Sequence, residues 1–215
     1  MESKAMIPTI GQWIGHLDAL VEDALLGLPF GESDSIKRGY IESFRDEYGS
    51  TRATDGALLS RVLGAGYVAQ AGVEDADLDV RLWEAVHLGG MDWAGLISEE
   101  GGLVEGDYAI EHRTLIELCS LHALWHLGLD SMRARIDELV DWHTQELQPD
   151  NGINRPWGVH VFVVRSVEAV DERQRLDAML HAQTLVNNCC ITLGKPDVLS
   201  AVILRDSADA LRALV

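Results

Sequence analysis

Residues 110–147 read IEHRTLIELCSLHALWHL-GLDS-MRARIDELVDWHTQEL, and this stretch decides the fold. Successive helical residues turn by about 100°, which places Leu115, Leu118, His122, Trp125 and Leu129 on one face with His126 at its flank. Gly128 tolerates the left-handed backbone that ends a helix, and Asp130 and Ser131 supply side-chain oxygens that cap the next one. Beyond them Ile136, Leu139, Val140, His143 and Leu147 form a second apolar stripe. The spacing predicts an αα-hairpin, 110–128 into 131–147.

The same unit recurs on both sides. Helix 54–72 passes into 76–89 across Gly72-Val73-Glu74-Asp75, and helix 171–194 passes into 197–214 across Gly194-Lys195-Pro196-Asp197. Before these, Ile10, Trp13, Ile14, Leu17, Leu20, Val21 and Leu25 predict a helix over 9–27. Ser33 or Asp34 can cap another over 34–48, which Gly49 ends. The run Val159 to Val164 is rich in β-branched residues, yet a lone strand would find no partner here. It is expected to be helical, with Asn154 as cap and Pro156 in the first turn. Gly64-Ala65-Gly66 is expected to lie mid-helix as a packing feature. These elements predict an all-α single domain over 1–215 with about nine helices, built from N-terminal helices 9–48 and hairpins 54–89, 110–147 and 171–214. In general outline the stacked antiparallel hairpins resemble α/α solenoids or partial toroids. Two longer connections, 89–109 and 148–157, are dense in turn formers, and loops of that length are often functional.

Composition narrows the function. With 35 acidic against 17 basic side chains the formal charge is −18, which repels phosphate backbones and anionic lipid headgroups. Nucleic acid and membrane are therefore not expected partners. No N-terminal apolar segment follows the charged start and no run of 18 apolar residues occurs, so a cytoplasmic location is expected. Three cysteines, with Cys189 and Cys190 adjacent, form neither a disulfide framework nor a paired zinc motif. No phosphate loop, Walker lysine or nucleophile elbow is present.

What remains is polar side chains on faces that should be apolar. His122 and His126, at i and i+4, can share a metal ion, and His143 on the partner arm of the hairpin can add a third ligand. The alternative is that each is a neutral core imidazole bonded to a nearby acceptor. Glu111 is a further acid–base candidate. On helix 171–194, Leu176, Leu180, Gln183, Asn187 and Cys190 are expected to point inward, so the two amides either bond locally or line a wet cavity. In the loop before the next helix, Arg155 can clamp a carboxylate or phosphate, with Trp157 and His160 beside it. The expected ligand-binding set is thus His122, His143, Arg155, Trp157, His160, Gln183 and Asn187, in a groove of the C-terminal half that takes a small polar molecule or peptide. The alternatives are a hydrolase or lyase using a divalent metal on His122, His126 and His143, and an acidic scaffold for a basic partner.

Overall fold

Thr9 opens the first helix. Its hydroxyl accepts the Gln12 amide (3.3 Å) while the Gln12 side chain accepts the Thr9 amide (2.9 Å), a reciprocal pair that satisfies two amides the helix itself cannot. The computed structural model describes residues 7–66, 77–88, 109–146 and 154–215. Among these the chain forms nine packed α-helices and no strand: α1 (Ile10–Val21), α2 (Asp34–Ser43), α3 (Ala53–Leu63), α4 (Leu78–Leu88), α5 (Ile110–Leu127), α6 (Arg133–Gln145), α7 (Val159–Glu168), α8 (Glu172–Asn188) and α9 (Val198–Arg212).

The helices arise where the periodicity places them, but several are shorter. α1 ends at Val21 and continues as turns to Gly27, where φ is +91°. α2 ends at Ser43 rather than 48. α3 stops at Gly64, whose φ of +62° lets its amide bond back to Arg61 and lets Ala65 bond to Ser60, a left-handed cap and not a mid-helix glycine. The expected turn Gly72-Val73-Glu74-Asp75, loop 89–108 and residues 147–153 lie outside the described residues. α5 ends at Gly128 (φ +59°), and a short 3-10 turn over Asp130–Met132 leads into α6. α7 is helical as expected, but Gly158 (φ +74°) precedes it rather than the Asn154–Pro156 start. Its β-branched content fits a helix buried nearly all round, with Val159, His160, Val161, Phe162, Val163 and Val164 all enclosed.

α9 is the central element. It packs on α1, α3 and α7, and eleven of its residues are buried. Asp197 caps it by accepting the Ser200 amide (2.8 Å). α7 lies along α8, α4 lies between α3 and α5, and α5 reaches both α6 and α7. One continuous apolar core runs from Trp13 of α1 to Leu211 of α9. Trp83, Trp157 and Phe162 are its largest fully enclosed side chains, and truncating any of them to alanine is expected to cost about 3–5 kcal/mol.

One face is reversed. α8 buries Ala178, His181, Ala182, Leu185 and Val186, whereas Gln183 and Asn187 are exposed and Leu180 is 51% exposed. The alanines allow α8 to pack along α7, and that contact outweighs burial of Leu176 and Leu180 on the other side. The two amides therefore line no inner groove. No described helix is long and apolar enough to cross a membrane.

Candidate functional site

Three imidazoles meet at the junction of α5, α7 and α9. His122 and His126, one turn apart on α5, and His160, in the first turn of α7, bring one ring nitrogen each within 4.8 Å of one another. Trp83, Trp125 and Trp157 wall the cluster, with Trp157 edge-on to His122 at 5.2 Å and Trp125 edge-on to His160 at 5.5 Å. Asp206 and Ser207 of α9 and Arg61 of α3 complete it.

Hydrogen bonds fix where protons lie. The Gly158 amide donates to His122 Nδ1 (3.0 Å), so that nitrogen is an acceptor and the proton sits on Nε2, which donates to Asp206 Oδ2 (3.0 Å). Arg61 donates from Nε to Asp206 Oδ1 (2.9 Å) and from Nη2 to His126 Nδ1 (2.9 Å). His160 Nδ1 pairs with the Ser207 hydroxyl (3.1 Å). Of six ring nitrogens, two are left over. His126 Nε2 lies 2.5 Å from Asp206 Oδ2 but out of line for a hydrogen bond, and His160 Nε2 is buried with no partner at all.

Electrostatics follow from burial. Burial alone would raise the Asp206 carboxyl, but the hydrogen bond from His122 and the close approach of the His126 ring outweigh it and hold the group well below the usual carboxylate range. The group is thus an anion in the core, compensated by the Arg61 guanidinium. Burial pushes His122 down to about 4, and burial followed by repulsion from His122 and His126 pushes His160 well down. Both rings are neutral at pH 7.

His143 is not in this cluster. Its Nε2 faces Glu117 Oε2 at 3.4 Å, and its ring lies 6.0 Å from that of His181, which stacks on Phe162 at 4.3 Å. The expected trio of His122, His126 and His143 is corrected in one member, with His160 in the place of His143. In the second cluster Glu117 Oε1 accepts from Arg113 (2.8 Å), while Glu117 Oε2 and all four ring nitrogens of His143 and His181 have no hydrogen-bond partner. Burial, then the neighbouring His181 and Arg113 charges, lowers His143 to about 3, and burial lowers His181 to about 4.

The remaining candidates divide. Trp157 is a buried wall of the first cluster and His160 a member of it. Arg155 stands apart, at the start of α9, where it bonds Asp197 and the Ser200 hydroxyl (3.1 Å) and lies 3.7 Å from Asp46. Its anion clamp is filled by the chain's own carboxylates. Glu111 is exposed at the start of α5.

Arg61, Gly158, Asp206 and Ser207 were not anticipated. Asp206 had a visible signal, since Leu199, Ile203, Asp206 and Ala210 recur at i, i+4, i+7 and i+11 on one enclosed face of α9 and a carboxylate there demands a partner. Arg61 and Gly158 carried none, because only the packing of separate helices brings them near. Comparisons of the chain with protein-family models, curated proteins and solved structures return no match.

Proposed function

We propose that the first cluster binds one transition-metal ion through His126 Nε2, His160 Nε2 and Asp206, making this a metal-dependent domain of the hydrolase or lyase type. The carrying observation is that these two nitrogens, and no others in the cluster, lack a hydrogen-bond partner, while both rings belong to one group of converging imidazoles and that of His126 lies against the buried Asp206 carboxylate. The spacing fits as well. Two imidazoles held at about 2.0–2.1 Å from one ion at a near-tetrahedral angle have ring centres about 5 Å apart. The His126 and His160 rings stand 5.4 Å apart.

His122 is a positioning residue on this reading, since Gly158 occupies its Nδ1 and its Nε2 proton orients Asp206. Ser207 plays the same part for His160, accepting the Nδ1 proton and leaving the Nε2 lone pair for the ion. Two imidazoles and a carboxylate leave coordination positions open, which is the arrangement that activates water or polarises a carbonyl of a small polar substrate. A cytoplasmic setting is part of the proposal. Protein purified without a histidine tag should carry about one equivalent of metal, and His126→Ala and His160→Ala should each lower it below about a tenth. Metal below that level in the wild-type chain refutes the centre.

One contact favours a second reading. Arg61 donates to His126 Nδ1, which puts the proton of a neutral ring on Nε2. The cluster is then a metal-free site in which His160 Nε2 accepts a proton or hydrogen bond from a small polar ligand. Metal-free protein whose ligand binding is lost in His160→Gln would decide for it.

A further inference from the structure

Resting on the metal reading, we infer that the substrate is a small oxoanion, a carboxylate or phosphate, gripped by Arg61. The cluster is closed on most sides, for His122 and His160 are fully enclosed. Its one solvent-exposed member is Arg61, whose side chain is 34% exposed. A guanidinium has five N–H donors arranged on two usable edges. The inner edge, Nε and one N–H of Nη2, is spent on Asp206 Oδ1 and His126 Nδ1. The outer edge, formed by Nη1 and the second N–H of Nη2, makes no hydrogen bond or ion pair among the described residues. That edge is a fork whose spacing matches the two oxygens of a carboxylate or phosphate.

Charge logic leads to the same class of ligand. In a chain of net charge −18 most of the surface repels anions. Asp206, the carboxylate that neutralises Arg61, is drawn inward onto His122 and its own oxygens are occupied. Metal binding sharpens the effect. With the Nε2 lone pair of His126 turned to an ion, its proton moves to Nδ1, and Arg61 must release that nitrogen because two N–H groups cannot face one another. The guanidinium would then hang on Asp206 through Nε, with one more N–H of Nη2 released.

The test uses the full chain with its metal content measured in the same sample. Calorimetric titration with sodium acetate, inorganic phosphate and ethylammonium chloride is compared for wild type, Arg61→Lys and Arg61→Gln. Lysine keeps the charge beside Asp206 and so preserves the fold, but it lacks the fork, and affinity for acetate and phosphate is expected to fall about tenfold or more while ethylammonium binds none of the three proteins. Thermal unfolding checks that Arg61→Lys remains folded. Equal anion affinity in wild type and Arg61→Lys, or no anion binding by wild type, overturns the inference. Arg61-dependent anion binding in protein with less than about a tenth of an equivalent of metal leaves the inference standing and removes the metal centre instead.

Discussion

Asp206 shows what a single side chain is made to do here. It is a buried carboxylate that touches Arg61, His122 and His126, three residues from two other helices, and its charge is what makes the cluster coherent. Removing one partner of such a pair strands the other, so Asp206→Asn should destabilise the protein by about 3–5 kcal/mol, read as the shift in a urea titration. A loss under about 1 kcal/mol would mean that Arg61 finds water instead. Among the histidines, the sequence already marked His122 as inward, because it interrupts an apolar stripe. It misassigned the partner of His143, although the hairpin contains the answer. Glu117 and His143 each stand thirteen residues from Asp130 at the turn, and antiparallel arms pair equidistant residues, so His143 meets Glu117 and not His122.

At the scale of elements, helix identity followed from periodicity, and the end of α5 at Gly128 and the start of α9 at Asp197 from their glycine and aspartate, but α2 and α8 stop short of Gly49 and Gly194 and which face turns inward did not always follow. α6 buries Ile136, Leu139, Val140 and His143 of its expected stripe, whereas α5 is enclosed on every side from Ile116 to Leu124 and leaves Leu115, Trp125 and Leu129 of its stripe only partly buried. α8 does not bury its expected stripe, since its alanines pack along α7 instead, and pattern alone cannot weigh that contact against side-chain size. Gly158 ties element to site. Its φ of +74° turns the chain into α7, and in that turn its amide points at His122. A Cβ there would meet Leu118 O and Leu121 at 3.5 Å, ordinary contact, so the cost of Gly158→Ala is backbone strain of about 1–2 kcal/mol. Thermal unfolding should show that loss, and an unchanged midpoint would show that the turn relaxes freely.

Over the whole molecule, burying neutral imidazoles sets a dependence on pH. His143 at about 3 and His181 at about 4 lie below the ordinary histidine value of about 6.5, so between those limits the unfolded chain takes up protons that the folded one refuses. Their contribution is complete above pH 6.5 and fades as pH falls, by about 1.4 kcal/mol per pH unit for each ring. The groups facing them are Glu117 and Arg113 of α5, with Phe162 of α7 against His181. His122 and His160, lowered in the same way, add to this decline, so urea titrations from pH 7.5 to 4.5 should show it and the double variant His143→Phe, His181→Phe should make it shallower. An equal slope in the variant would assign the decline to His122, His160 and the carboxyl groups instead.

Contacts that join distant parts of the chain add a consequence for biosynthesis. Asp206 meets His122 across 84 residues and Arg61 across 145, while Arg212 reaches Asp18 across 194. A nascent chain emerging from the ribosome therefore holds an unfinished core and an unassembled histidine pocket until α9 is free of the exit tunnel. Elongation arrested before α9 should yield a protease-sensitive chain that chaperones can bind until α9 emerges.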